Sequence, residues 1–353
     1  MADADLGEGR RRALPEWVPA LARILGTVAV TMLGLMLITF FIGRVVPVDP
    51  VILVIGDRAP KSVYDRTFIE LGLDKPIWQQ FLIYLGQVFQ GDLGDSFLTK
   101  RPIISDIARV FPATLELATV GILIGTLFGV PLGVFAAVRQ GKLADQVVRV
   151  VGLIGYSAPI FWLGLLGLLL FYARLHWIGG PGRVDISFEY SFTNRTGLML
   201  LDTAMQGEWA AFRNVVGHIA LPGALLGYLS MAYISRMSRS FMLNELGQEY
   251  ITTARVKGVP ERRIIWVHAL RNAAVPLVTV IALSYAGLLE GAVLTETVFS
   301  WPGLGQYLTN SLQKADMNAV LGCTLVIGTI YIGLNLLSDL LYTLLDPRVR
   351  RRT

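Results

Sequence analysis

The chain is poor in the residues that reactive sites usually require. It holds one cysteine, Cys323, and three histidines in 353 residues. A lone cysteine excludes an internal disulfide and any thiolate-cluster metal site. Lying in an apolar run, Cys323 reads as a small buried packing residue. His176, His218 and His268 stand far apart, without metal-ligand spacing. Charge is also scarce. Only 16% of residues are charged and 54% are hydrophobic, whereas a soluble domain carries about 25% charged residues. That balance excludes an ordinary soluble domain and makes membrane integration the default. The net charge of +5 follows from where the arginines sit between apolar runs, so it implies no nucleic-acid partner.

Catalytic sets are missing too. There is no Ser/His/Asp arrangement, no paired-carboxylate site and no zinc-protease helix. Gly56-Asp57-Arg58-Ala59-Pro60-Lys61-Ser62 looks superficially like a phosphate loop. It fails because Pro60 stands where a glycine is needed and has no backbone N–H to offer. Gly303-Leu304-Gly305 is too short for a dinucleotide fingerprint. The chain is therefore expected to be neither an enzyme nor a cofactor binder.

What the chain has in abundance is long apolar runs. Crossing the hydrocarbon core takes about 20 apolar residues in a helix. Six runs meet that length, at about 21–42, 113–138, 148–174, 216–235, 275–297 and 319–344. Each must be helical, since an unpaired backbone is too costly in lipid. Lysine and arginine concentrate at the N-terminus (Arg10, Arg11, Arg12), in 139–149, in 236–274 and at the C-terminus (Arg348, Arg350, Arg351, Arg352). Segment 299–318 has only Lys314. The positive-inside rule then places both termini and the 236–274 loop in the cytoplasm. The first run is too long for a cleaved signal and contains Arg23, so it is expected to be an uncleaved anchor.

Segment 43–112 reads as an extracytoplasmic accessory region. Its aromatic-rich run 78–89 suits a membrane–water interface, and Gly91-Asp92-Leu93-Gly94-Asp95-Ser96 reads as a turn. Residues 1–110 thus form an N-terminal region, 111–346 a five-helix core and 347–353 a basic tail. Segment 175–215 is expected to carry a short helix near 198–213. In the second run Gly121, Gly125, Gly129 and Gly133 recur every four residues on one helix face. Such spacing permits close helix approach, either as fixed intrachain packing or as a face that slides during transport. Ionisable residues inside apolar runs mark a pathway or a pairing. Glu290 falls midway along the fifth run, and Glu116, Glu296 and Asp339 lie nearer to run ends. Tyr285 and Glu290 are candidates for lining a translocation pathway.

The most informative segment is the polar stretch between the fourth and fifth runs. Residues 248–257 are helix-like, Gly258 follows, and Pro260 comes two residues later, a helix stop. A second helical run, 261–272, leads to Pro276. A short helix, a sharp turn and a second short helix at the membrane surface are expected. The basic residues would suit anionic lipid headgroups or a protein partner.

At these residues the chain resembles the membrane subunits of bacterial ATP-binding-cassette importers. Their cytoplasmic loop has a Glu-Ala-Ala, three residues, Gly, nine residues, apolar-x-Leu-Pro pattern. Aligned on Gly258, Ala254 and Leu270 match, while Thr252 replaces the glutamate and Arg271 the proline. Those departures resemble the dipeptide, oligopeptide and nickel permease group, as do Thr253-Ala254-Arg255-Val256-Lys257-Gly258 and Leu270-Arg271-Asn272. Leu71-Gly72-Leu73-Asp74-Lys75-Pro76, Tyr156-Ser157-Ala158-Pro159 and Glu296-Thr297-Val298-Phe299-Ser300-Trp301-Pro302-Gly303-Leu304-Gly305 are similar to its first-permease type. The resemblance implies an all-α type I importer core of five helices plus an N-terminal helix. It implies as partners a second homologous permease, two ATPase subunits that bind the ATP and magnesium, and a periplasmic or lipid-anchored binding protein. Tyr250, Thr253, Ala254, Arg255, Lys257, Gly258, His268, Leu270, Arg271 and Asn272 would then form the ATPase-coupling loop. Di- and oligopeptides are the expected cargo, with nickel chelates, glutathione and other small solutes open beside them. A self-contained secondary transporter is the reading from another class.

Overall fold

A computed structural model describes residues 17–45, 49–56 and 58–345. Among the described residues the regular structure is helical, apart from one isolated bridge between Asp95 and Pro102. Helix α1 (Trp17–Val45) is followed by three short helices, α2 (Pro50–Ile55), α3 (Lys61–Glu70) and α4 (Ile77–Phe89). Then come α5 (Ile103–Val138), α6 (Leu143–Ser157) and α7 (Ile160–Gly167), which runs on as a π-helix over Leu168–Arg174. Next are α8 (Met199–Gln206), α9 (Trp209–Leu246) and α10 (Glu249–Val256). The one-turn α11 (Glu261–Arg263) passes through a π segment, Ile264–Ala269, into α12 (Leu270–Gly291). The chain ends with α13 (Val293–Val298), α14 (Leu304–Gln313) and α15 (Met317–Leu345).

Among the described residues, five helical stretches are long and apolar enough to cross a membrane: Ala22–Arg44, Ile103–Val138, Trp209–Leu246, Glu261–Gly291 and Met317–Ser338. The third expected run, 148–174, is not one straight span. It is broken between α6 and α7 by a 93° bend. Ala158 is held extended (ψ 131°) before Pro159, in keeping with the steric bias of a residue preceding proline away from the helical region.

Helix packing settles what the bent pair does. The glycine face of α5 seats on α9. A Cβ at Gly121 would stand 2.9 Å from Leu226 Cβ, one at Gly129 3.1 Å from Ile234 Cβ, and one at Gly133 2.5 Å from the Ser235 carbonyl. At Gly125 it would overlap Ser230 Oγ. The fit is reciprocal, since Gly223 and Gly227 of α9 leave room for Val120 and Ile124. Residue numbers rise together along both helices, so α5 and α9 are parallel. The segment between them must return the chain across the membrane, and the bent pair is its apolar part. Helices α1 and α15 are antiparallel, with Gly43 beside Met317 and Leu321, and Gly328 beside Leu35. The described ends Trp17 and Leu345 therefore lie on the side of α10, after six crossings. The basic residues beyond those ends, Arg10, Arg11, Arg12, Arg348, Arg350, Arg351 and Arg352, lie outside the described residues.

Other boundaries differ from the apolar runs for local reasons. Helix α5 begins ten residues before Ala113, because its first turns carry Ser105, Asp106 and Arg109, which an apolar window rejects. The boundary expected near 110 thus falls inside a continuous helix. The helix expected near 198–213 is cut by Gly207, which is left-handed (φ 73°), and Trp209 onward belongs to α9. The second loop helix does not stop before Pro276. It continues to Gly291, and Asn272, whose carbonyl loses its usual donor to Pro276, is exposed. The fifth span ends earlier than expected, so Glu290 sits at its end rather than midway, and Glu296 lies beyond it in α13. Residues 91–96 do turn, with Gly91 and Gly94 at φ 80° and 77°. Cys323 is fully buried among Ile103, Ile107, Leu304 and Ala319.

Candidate functional site: a helix–glycine–helix segment at one face

The polar segment is seated on the ends of α5 and α9. Helix α10 starts after Gln248 and ends in a glycine stop. Gly258 takes φ 75°, its N–H donates to the Arg255 carbonyl (3.0 Å), and the Val259 N–H donates to the Ala254 carbonyl (3.1 Å). This left-handed position carries little penalty only for glycine. No atom lies within 4 Å of where a Cβ at Gly258 would be, so the requirement is one of backbone conformation, not of space.

The segment has its own small core. Ile251, Ile264, Ile265 and Ala269 are buried against Val134, Ala137 and Met242, with Ala254, Val259 and Leu270 packed at the edge. Burying an aliphatic side chain contributes about 1.5–3 kcal/mol, so this underside holds the segment firmly to the bundle. The upper face is exposed: Thr253, Arg255, Lys257, Gly258, Arg262, Arg263, Arg271 and Asn272, with Val256 84% exposed. His268 is half-buried.

Two polar links brace the turn. Arg255 Nη2 donates to Glu261 Oε1 at 2.8 Å across Gly258. Both side chains are about half exposed, a setting in which ion pairs add about 0.2–1 kcal/mol. The Tyr250 hydroxyl donates to Glu245 Oε2 (2.6 Å) and accepts from Asn272 Nδ2 (2.9 Å). It thereby ties α10 to the end of α9 and the start of α12. Partial burial, then the hydrogen bond to the Glu245 carboxylate, pushes the phenol up to about 12. The ten residues singled out from the sequence thus share one continuous segment. Leu270 packs at its core, His268 is partly covered, and the charged members are on the outer face.

The two pathway candidates are not brought together. The Tyr285 hydroxyl pairs with Thr119 Oγ at 2.9 Å, between α12 and α5. Glu290 is exposed and lines a crevice with Phe111, Thr114, Leu289, Ile327 and Tyr331, which Tyr285 does not reach. That crevice encloses about 10 Å³, room for about one water and not for a peptide.

Sequence reasoning marked Glu116 and Glu296 but missed the partners with which they close the opposite face. Arg183 is buried and pairs with Glu116 of α5. Its Nη2 also donates to the Gly197 carbonyl (2.9 Å), and its guanidinium lies 5.4 Å from the Trp301 ring centre. Glu116 accepts from the Leu200 N–H as well (2.7 Å). Glu296 is fully buried, accepts from Thr114 Oγ1 (2.6 Å) and the Gln306 N–H (3.0 Å), and occupies the space that side chains at Gly303 and Gly305 would take. The Trp301 indole N–H donates to the Ala113 carbonyl (2.9 Å). The one local signal was Gly179-Gly180-Pro181-Gly182 before Arg183, a turn that delivers a long basic side chain. The side chain of Asp339 lies outside the described residues.

Comparison with known proteins finds similarity along most of the chain. Residues 129–351 match the family model "Binding-protein-dependent transport system inner membrane component". Residues 20–118 match the model of the N-terminal part of such membrane components. The dipeptide transport system permease protein DppB of Escherichia coli (strain K12) is 45% identical over 335 residues, covering 94% of this chain and 98% of that protein. The di/tripeptide transport system permease protein DppB of Pseudomonas aeruginosa (strain UCBPP-PA14) is 42% identical over 333 residues, with the same two coverages of 94% and 98%. The probable D,D-dipeptide transport system permease protein DdpB of Escherichia coli (strain K12) is 42% identical over 318 residues, covering 90% and 93%.

Proposed function

The chain belongs to the binding-protein-dependent transport system inner membrane components, and from that premise we propose that it is a permease subunit of an ATP-driven importer of di- and oligopeptides. It is a multi-pass inner-membrane protein. The observation that carries the mechanism is the seated helix–glycine–helix segment, with an apolar underside fused to α5, α9 and α12 and a polar upper face left free. Such a segment transmits force: a push on α10 reaches three membrane helices through one small core.

In this reading α10 faces the cytoplasm, with both chain ends on its side, and docks on an ATPase subunit. Arg255, Lys257 and Arg271 offer positive charge to acidic groups there. A second homologous permease completes the pathway, consistent with the small crevice beside Glu290 in this chain. Two ATPase subunits hold the ATP and magnesium, and a periplasmic or lipid-anchored binding protein selects the cargo. Closure of the ATPases then swings the helix bundles between inward- and outward-open arrangements.

The test is uptake in vesicles carrying the complete transporter. Replacing Gly258 with valine is expected to abolish ATP-driven uptake while the assembled complex remains intact. Unchanged uptake would remove the coupling role. Screening the cognate binding protein against peptides, nickel chelates and glutathione tests the cargo, and a preference for a non-peptide ligand would overturn that part.

A further inference from the structure

Helix α4 differs from α3 just before it. Its thirteen residues, Ile77–Phe89, contain no charged side chain, whereas α3 carries an exposed Arg66–Glu70 ion pair. Three sides of α4 have three different surroundings. Tyr84 stacks on Phe40 of α1 and Phe81 packs on it at a tilt, with ring centres 5.6 and 5.3 Å from that of Phe40. Gln79, Gln80 and Gln87 share another side with the exposed Ile83 (43%); Gln79 and Gln80 are half-buried, and Gln80 donates to the Lys75 carbonyl (2.8 Å). The third side presents Trp78, Leu82 and Phe89, at 61%, 56% and 77% exposure. Spacings of four and seven residues put these three on one helix stripe. Among the described residues nothing covers the stripe.

The surroundings identify the occupant. Helix α1 is a membrane span, and its side chains near Phe40 are exposed apolar ones, including Ile38 (60%) and Ile42 (58%). Packed on Phe40, α4 lies beside the end of that span, at the level where the chain leaves the lipid. A neutral helix with an aromatic-bearing apolar stripe and an amide edge matches a lipid interface. Such a helix lies with its apolar side sunk about 5–10 Å into the headgroup–acyl boundary. The end of α1 at Phe40 is on the side opposite α10. We infer that α4 lies flat in the lipid leaflet opposite α10, with Trp78, Leu82 and Phe89 among the acyl chains and the glutamine edge in water. Through the Phe40 stack this lateral float holds the end of α1 at a set depth.

The experiment uses the complete transporter in lipid nanodiscs. Single cysteines replace Trp78, Leu82, Phe89, Gln79 or Gln87, and each carries an environment-sensitive fluorophore. Native Cys323 is fully buried and is also changed to alanine as a control. Lipids brominated high on the acyl chain are expected to quench positions 78, 82 and 89 strongly, and aqueous iodide to quench 79 and 87. Trp78→Phe gives a second measure without labelling, as a drop in the bromolipid-sensitive part of tryptophan emission. Equal quenching of all five positions by iodide would overturn the inference. So would bromolipid quenching at 78, 82 and 89 that appears in this chain alone and vanishes in the complete transporter, because the occupant would then be another subunit.

Discussion

Two regions on opposite faces of this molecule are built on opposite principles. On one, α10 and α11 expose their charged groups, and the turn between them depends on a single glycine with nothing near it. On the other, charges are buried and paired, Arg183 with Glu116 and Glu296 with hydroxyl and amide donors, so that α5, α13, α14 and segment 175–215 are locked together. Polar groups that stay hydrated need no fixed partner within the chain. Groups removed from water do, because there a missing partner is costly.

That contrast can be broken first at the buried pair. Arg183→Ala leaves Glu116 buried without its cation, and losing one partner of a buried pair costs about 3–5 kcal/mol. Thermal unfolding of the detergent-solubilised transporter should show a large loss for Arg183→Ala. The Arg183→Met, Glu116→Gln double variant should recover much of it, and additive losses would mean that the two do not act as a pair. Next comes the glycine seam between the faces. Gly125→Val collides with Ser230, and overpacking of this kind costs about 1–3 kcal/mol. The same assay should show that loss, partly relieved by Ser230→Gly.

On the exposed face stability effects shrink while functional effects remain. Forcing a branched residue at Gly258 into the left-handed region costs about 1–2 kcal/mol. Uptake is expected to fail for Gly258→Val, and to survive better for Gly258→Asn, which tolerates that region. Similar uptake for valine and asparagine would show that backbone conformation is not what matters there. Smallest is Arg255→Ala, which removes an exposed pair worth about 0.2–1 kcal/mol. Its melting temperature should barely move, and a large drop would contradict the contrast between faces.

Much of this was legible because it is local. Apolar runs of bilayer length appear in the order of residues, and Gly258 followed by Pro260 specifies a turn at short range. The hidden parts are those in which distant residues choose each other. Glu116 was visible as an expensive carboxylate, but Arg183 is 67 positions away and nothing local links them. Tyr285 and Glu290 are close in sequence yet sit on different sides of α12. The break at Pro159 was obscured because apolar residues continue through it, and hydropathy does not register direction.

By itself the sequence determined an all-helical membrane chain, its crossing segments, and the polar helix–turn–helix that leaves the bilayer, since burial in lipid and the φ angle of one glycine act residue by residue. Only the tertiary structure decided that α5 and α9 run parallel, that the bent pair carries the chain back between them, and that buried charges close one face. Those outcomes depend on which surfaces meet. In a membrane that choice is made by the fit of small residues and by pairing of buried polar groups across long stretches of chain.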